Sequence, residues 1–532
     1  MLSLEPTDDL ADPAFRDAAA CTRWLSQLQL TNLSLAQGTL RKQLDELNRC
    51  PLRGSERLQI LEALRETVAL VQRNIAHKLV GKKLPLAEEE YKLLLGLSNL
   101  WHSMQVGYLR CLQTAEPAET ALLCQRCLLY CALQLEEFVH AGYEPAPDVW
   151  QQLHALYAHV ESKGHQAEVV RDSRYLSGMP VNCRTLYATT LLLHRARFAG
   201  LTRTQWHVAE RWLASWGDAF TIEPRCSMTA DDAPPLWVNL DGTLPLQAIR
   251  HARDAEGMRY LVMVPLSKVI RVKTILLQHG QTPQQMELGD SLSAKDCIEL
   301  LNRLHACWCE AHEDALADKP HASECVNLCF GLEQNYSQLA RKPFRPIKEA
   351  SKADNLAQRQ IETFGRVLDE SDQNELRELG FVAEDWQIDT DGLLRGKLLR
   401  SHPSGQRLGS KQLVGVFPST GTAHKVGEID FVRVTQTGQL YIGVHYLPGQ
   451  PRALVVQGVS DNEALQSGSC AALLLPAIEK LNIPASLVLP RDWFVAGRML
   501  EINLPDHSKQ KVTLGFSVLK GLDFERVSFK PL

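Results

Sequence analysis

The chain has 532 residues, 45% of them hydrophobic and 22% charged, with a formal net charge of −5. This length exceeds what one hydrophobic core usually serves, so we expect several domains of ordinary folded protein. The slightly acidic balance excludes a protein that coats nucleic acid or anionic membrane with its whole surface, and any anion site must be local.

The N-terminal sequence predicts neither export nor insertion into a membrane. The first 17 residues carry five acidic groups and lack the apolar core of a signal peptide. The apolar stretch 122–135 is interrupted by Gln125 and Arg126 and is too short to cross a bilayer. We therefore expect a cytoplasmic protein whose fourteen cysteines are reduced thiols.

Residues 1–225 are predicted to form an all-α bundle. Apolar residues recur here at spacings of three and four, broken by short Pro, Gly or Asn punctuation. The clearest stripe consists of Leu61, Leu64, Val68, Val71 and Ile75. Short connections favour antiparallel neighbours in a bundle or a solenoid, although no repeat of fixed period is visible.

The segment 226–345 is predicted to be mixed α/β. Residues 236–240 and 260–264 have the composition of strands, the second ended by Pro265. Ser293 and Asp296 have the spacing of a capping box, which predicts a helix that continues to residue 311. A helical connector is expected over residues 346–380.

From residue 381 onwards the sequence predicts β-structure. Short apolar or alternating runs rich in β-branched residues follow one another closely, which is typical of barrels and sandwiches. We divide this part into an antiparallel β-barrel over residues 381–460 and a further small β unit over 461–532. The predicted fold is thus multidomain, with an all-α N-terminal bundle, a mixed middle and a C-terminal barrel.

One tetrapeptide permits a hydrolase interpretation. Residues 289–292 copy the Gly-Asp-Ser-Leu sequence of a lipase and esterase family, and Asp318 and His321 have the spacing of its acid and base. Ser291, however, precedes a capping box and does not follow an N-terminal strand, so a polar helix-initiating loop is the preferred interpretation. The usual dinucleotide, P-loop and zinc-protease signatures do not occur. We expect neither enzymatic activity nor a cofactor.

Two groups of cysteine and histidine residues raise the question of a metal. The larger group comprises His305, Cys307, Cys309, His312, Cys325 and Cys329. Spacings of four would place pairs of ligands on one helical face, but no Cys-x-x-Cys pair anchors this group. Cys124, Cys127 and Cys131 include such a pair within a strongly apolar helix that lacks a second pair. We interpret both groups as helix packing and expect no metal.

The C-terminal β-region has a recognisable order of segments. Residues 386–389 open it, 409–416 form a polar loop that enters an apolar strand, 426–433 follow, and 441–447 contain an Ile-Gly-Val run that ends in leucine. In the residue pattern and order of its segments this part resembles a PilZ domain, a small β-barrel that in bacteria binds cyclic di-GMP.

The resemblance implies a binding site for cyclic di-GMP. PilZ receptors hold this dinucleotide with an Arg-x-x-x-Arg arm, which corresponds to Arg341 and Arg345, and with an Asp/Asn-x-Ser-x-x-Gly turn, which corresponds to Asp391 and Gly396. Guanidinium groups suit phosphate and can stack on guanine. Leu393 stands where the turn has its serine, and a helical insert separates arm from turn.

Two functions remain open on the sequence alone. The first is a regulatory protein that couples a PilZ-like barrel with bound cyclic di-GMP to a helical region that binds a protein partner. The second is a scaffold whose barrel has lost nucleotide binding and binds protein only. Residues 386–458 carry eight Lys or Arg against four Asp or Glu, a local net charge of +4 that attracts phosphates and acidic proteins alike.

Overall fold

The computed structural model divides the chain into two compact units. Met1–Val80 and Glu88–Asp318 form the helical unit, and Gly81–Ala87 and Lys319–Leu532 form the barrel unit. The residues that the structure describes are 4–172, 178–226, 236–248, 255–310, 325–341, 344, 383–402, 404–418, 424–459, 468–503 and 509–532.

The helical unit confirms the predicted bundle. Its helices are α1 (Ala18–Gln27), α2 (Leu33–Arg49), α3 (Gly54–Ala76), α4 (Glu88–Gln113), α5 (Pro117–His140), α6 (Pro147–Ser162), α7 (Cys183–Arg195), α8 (Arg203–Ser215), α9 (Val264–Gln278) and α10 (Ala294–Cys309). The apolar stripe of α3, from Leu61 to Ile75, is fully buried. The predicted cap of α10 is present, because Asp296 N donates to Ser293 Oγ at 3.2 Å.

A buried ionic network joins α3 to α5. Arg126 Nη1 lies 2.9 Å from Asp172 Oδ2, and its Nε lies 3.0 Å from Glu62 Oε1. Arg65 contacts the same two carboxylates. Asp172 and both arginines are almost completely excluded from solvent, so each charge depends on its partners for compensation.

Among the described residues, two small sheets occur in the helical unit, and three of their strands fall within residues 1–225, which were expected to be all-α. β1 (Val169–Arg171) pairs with β2 (Pro180–Asn182), and a four-stranded sheet has the order β3-β6-β4-β5. Its members are β3 (Thr221–Glu223), β4 (Leu236–Asn239), β5 (Gln247–Ala248) and β6 (Met258–Val262). Helix α9 starts at Val264, shortly after β6, and Pro265 lies in its first turn, where proline is tolerated.

The barrel unit contains two closed six-stranded antiparallel barrels. The first has the strand order β10-β11-β12-β9-β8-β7 and the second β13-β14-β15-β18-β17-β16. The first comprises β7 (Cys325–Phe330), β8 (Glu384–Asp391), β9 (Arg395–Arg400), β10 (Leu413–Pro418), β11 (Lys425–Val434) and β12 (Leu440–Tyr446); helix α11 (Leu332–Ala340) follows β7. The second comprises β13 (Arg452–Gly458), β14 (Ser469–Leu475), β15 (Ser486–Pro490), β16 (Met499–Asn503), β17 (Lys509–Lys520) and β18 (Phe524–Pro531).

Two strands lie in a different barrel or segment from the one expected. Residues 325–330 fall within the expected mixed segment, but as β7 they pair with β8 and β10 and close the first barrel. β13 was included in the barrel of residues 381–460, but it pairs with β14 and β16 in the second barrel. Local apolar patterns define a strand without defining its distant partners, which explains both differences. The expected connector, residues 346–380, lies outside the described residues.

Among the residues that the structure describes, no helix has both the length and the apolar character needed to cross a bilayer.

Candidate ligand-binding site

Helix α11 lies along the outer face of β10. Gly331 N, just before the helix, donates to Leu413 O at 3.0 Å near the start of β10. Further along, Asn335 covers Gly415, where a Cβ atom would overlap the Asn335 side chain. Asn335 Nδ2 also donates to Gly331 O at 2.7 Å. The helix therefore runs in the direction of β10 and requires glycine at its closest approach.

The opposite face of α11 is covered by the second barrel. Alternation along β13 directs Leu454 and Val456 into that barrel and leaves Ala453 and Val455 to pack near the helix. The shared core contains Leu332, Tyr336, Leu413, Val426, Leu447, Ala471, Leu473, Leu475, Val488 and Phe524. The helix is thus held between the two barrels.

Arg341 terminates α11 in a left-handed backbone conformation. Its φ is 52° and its ψ is 32°, and its N–H donates to Ser337 O. Glycine is usual at such a position because a Cβ atom is disfavoured there. Non-glycine residues in this conformation are enriched at functional sites. The guanidinium of Arg341 has no ion-pair partner among the described residues.

His424 lies at the end of the barrel where α11 finishes. Its ring centroid is 4.9 Å from that of Phe417, the penultimate residue of β10. Burial, and then the positive charge of Arg341, lower the pKa of His424. His424 Nδ1 is buried and has no hydrogen-bond partner among the described residues. The arginine and the imidazole therefore share one region of the barrel surface.

The same region extends across this end of the first barrel to Gly396, Lys425 and Tyr446. Strand registers set Gly396 opposite Val444 and Gly427 opposite Tyr446. A Cβ atom on Gly396 would collide with Tyr446 Oη, so glycine allows the ring to lie over this strand. Lys425 Nζ lies 4.6 Å from the centroid of that ring. We refer to Arg341, His424, Lys425, Tyr446 and Gly396 as the barrel-end cluster.

The structure describes three of the four site residues predicted from the sequence, one of them without its side chain. Arg341 and Gly396 belong to the barrel-end cluster, and Asp391 is the last residue of β8, paired with Gly396, although its side chain is not described. Arg345 lies outside the described residues. Leu393, at the tip of this hairpin, is 95% exposed and fills no pocket.

The serine considered for a hydrolase has a simple structural environment. Ser291 Oγ accepts a hydrogen bond from Arg211 Nη2 at 3.1 Å on the surface of the helical unit. Asp318 and His321 lie outside the described residues.

The group considered for a metal is separated by secondary structure. His305 Nε2 lies 2.9 Å from Ser267 Oγ, and His305 Nδ1 lies 3.0 Å from Glu310 Oε1. The expected helical spacing of Cys325 and Cys329 is wrong, because both residues belong to strand β7. Within the described ranges, no group of three or more His, Cys, Asp or Glu could hold a metal ion.

Comparison with known proteins relates both ends of the chain to one family. Residues 19–225 match the model of "Cyclic-di-GMP receptor FimW, N-terminal domain", and residues 455–532 match that of "FimW C-terminal beta-barrel domain". The curated cyclic-di-GMP receptor FimW of Pseudomonas aeruginosa is 22% identical over 562 residues, covering 95% of this chain and 90% of FimW. The chain is thus related to the FimW cyclic-di-GMP receptors. No solved structure matches significantly.

This relationship confirms the prediction that the chain is not an enzyme, since the related protein is described as a receptor. The second matched segment corresponds to the second barrel. The barrel-end cluster lies between the two matched segments, so its role depends on its own geometry.

Three members of the cluster were missed from the sequence. His424 directly precedes β11 and Lys425 is its first residue, and neither residue matches the arm or the turn. Tyr446 belongs to the strand that carries the PilZ resemblance, but only the collision of a Cβ atom at Gly396 with its hydroxyl reveals its importance.

Proposed function

We propose that this chain is a receptor for cyclic di-GMP that binds the dinucleotide at the barrel-end cluster of its first, PilZ-like barrel. Arg341, Arg345, Asp391 and Gly396 are the proposed site residues. The observation that carries the proposal is that α11 delivers Arg341 to the barrel end that also holds the 391–396 hairpin. The relationship to a cyclic-di-GMP receptor supports the choice of ligand.

The chemistry of the cluster suits a cyclic phosphodiester with two purine bases. Arg341 offers a planar fork for phosphate or guanine, and Lys425 adds a second cation held over an aromatic ring. The exposed Arg395 begins the strand that contains Gly396 and increases the positive potential there. Cations gathered at one end of the barrel attract an anionic ligand.

We further propose that the helical unit binds a protein partner and that the protein acts in the cytoplasm. A receptor without enzymatic activity must pass its signal on through an interaction, and the helical unit is the larger part of the chain.

The proposal is tested by calorimetric titration of the full chain with cyclic di-GMP, with GTP and ATP as comparators. Arg341→Ala should weaken binding of cyclic di-GMP by on the order of 1.5–3 kcal/mol, roughly tenfold or more. Lys411→Ala is the matched control, because Lys411 is an exposed cation with φ 63° near the opposite end of β10. It should leave the affinity unchanged.

Two further variants examine the arm and the turn. Arg345→Ala should weaken binding more than Lys342→Ala, because a rigid fork forms two parallel bonds and an ammonium group does not. Leu393→Ser should strengthen binding by restoring the hydroxyl of the PilZ turn. If the wild-type chain binds no cyclic di-GMP, the receptor proposal fails and the alternative, a scaffold that binds protein only, takes its place.

A further inference from the structure

His424 stands apart from the arm and the turn, yet it occupies the same barrel end. It directly precedes Lys425, whose ammonium group lies over Tyr446. Its ring packs against that of Phe417 in β10. Phe417 is only 2% exposed, so this contact restricts the imidazole on the side that faces the barrel. The position is therefore rigid on one side and partly open to solvent on the other.

The hydrogen bonding of the ring determines what it can offer to a ligand. Nδ1 is buried and unpartnered among the described residues, so a proton there would be a buried N–H without an acceptor. Such donors are rare in folded proteins, which favours the neutral tautomer with its proton on Nε2. The ring then has one N–H donor at the barrel end, where the positive charge of Arg341 also acts on it.

We infer that His424 is a specificity-determining residue for the phosphodiester, contacting an anionic oxygen beside Arg341 and taking up a proton when the ligand binds. This inference rests on the proposed function. The arm and the turn do not include this residue, and a histidine makes recognition of the phosphate depend on pH in a way that arginine and lysine cannot.

The sign of the pH dependence follows from the neighbouring charges. In the free protein, burial and Arg341 lower the pKa of His424, so the ring is neutral near pH 7. The proton taken up on binding sits on the buried Nδ1, which has no acceptor among the described residues, and this opposes protonation. A bound phosphodiester offsets the charge of Arg341 and adds negative charge near the ring, and where this electrostatic gain exceeds that cost the pKa of His424 rises. A group whose pKa rises on binding takes up a proton, so affinity increases as pH falls through the interval between the two values.

Other charged and titratable groups at this barrel end must be separated from His424. Lys425 is the adjacent cation in the chain. On β12, His445 is paired in register with Glu428 of β11 and Arg395 of β9, and it is a second histidine at this end among the described residues. Substitution of each histidine in turn distinguishes their contributions.

The test is calorimetric titration of the full chain with cyclic di-GMP between about pH 6 and about pH 8, in two buffers of different ionisation enthalpy. The wild-type chain should take up a proton, and log affinity should rise with falling pH with a slope of up to about one per pH unit. His424→Gln should abolish both effects and weaken binding below about pH 7. His445→Gln, and His402→Gln beyond the other end of β9, should retain both.

The outcomes separate this inference from the proposed function. No binding by the wild-type chain at either pH would end both. Binding without proton uptake, or His424→Gln with the wild-type slope, would overturn the role of His424 and leave the receptor proposal intact. If His424→Gln does not fold, NMR titration of the wild-type imidazole decides: its pKa must rise when cyclic di-GMP is added, and Arg341→Gln must raise it in the free protein.

Discussion

Replacement of Arg341 by glycine separates the stability of the barrel unit from its binding function. The residue adopts φ 52° and ψ 32°, where an L-residue with a Cβ atom costs about 1–2 kcal/mol relative to glycine. Glycine also makes the unfolded chain more flexible, and this offsets about 0.4–1 kcal/mol of the stability gained by relieving the strain. Arg341→Gly should therefore leave the free energy of unfolding unchanged or raise it by about 1 kcal/mol.

Binding should change in the opposite direction. Removal of the guanidinium eliminates the proposed charge-assisted contact with the ligand, so the affinity for cyclic di-GMP should fall roughly tenfold or more. Urea-induced unfolding of the barrel unit reports the first effect, and calorimetric titration reports the second. Lys411→Gly is the matched control, because φ is 63° there and the same backbone relief is expected without loss of affinity.

Two results would refute this reasoning separately. Arg341→Gly with wild-type affinity would mean that the guanidinium does not contact the ligand. A loss of more than about 1 kcal/mol of stability would mean that the side chain of Arg341 supports the fold, contrary to the strain argument. A variant that is as stable as the wild type and binds weakly supports a residue retained for function.

Three further variants test other parts of the structure. Gly396→Ala should destabilise the barrel unit by about 1–3 kcal/mol and weaken ligand binding, because the new Cβ atom displaces the buried ring of Tyr446; thermal unfolding and titration measure both effects. Asp172→Ala should cost the helical unit about 3–5 kcal/mol in urea denaturation, since it removes the shared partner of two buried arginines. Burial raises the pKa of Asp523, so its charged form costs stability above that pKa; Asp523→Asn should raise the unfolding temperature near neutral pH, with an advantage that disappears on acidification.

The fold class could be predicted from the sequence because its evidence is local. The stripe from Leu61 to Ile75 marks one face of α3, and burial of every member confirms the helical period. Short apolar and alternating runs likewise identified the β-region expected from residue 381 onwards, where β8 starts at Glu384. Which barrel each strand joins could not be predicted, because pairing depends on residues far apart in the chain: β7 ends at Phe330 and its neighbour β8 begins only at Glu384.

The candidate site could be predicted only in part for the same reason. Arg341 and Gly396 were identified from the spacing of a motif. His424 and Tyr446 belong to no motif, and their relevance depends on the path of α11 and on the register of β11 against β12. The expectation for Cys325 and Cys329 was wrong because the same spacing of four has different meanings on a helix and on a strand.

The second barrel has a structural role at the candidate site that its position in the chain does not suggest. A strained backbone such as that of Arg341 persists only where its surroundings determine it more strongly than local preference does. Here α11 is fixed at its start by the bond from Gly331 to Leu413, and its two faces are covered by different barrels. Since Leu413 N in turn donates to Asp523 Oδ1 of the second barrel at 2.8 Å, that barrel secures both the helix and the strand beneath it. The second barrel therefore holds the backbone of Arg341 in place, and under the proposed function this preorganisation lowers the entropic cost of binding cyclic di-GMP at the first barrel.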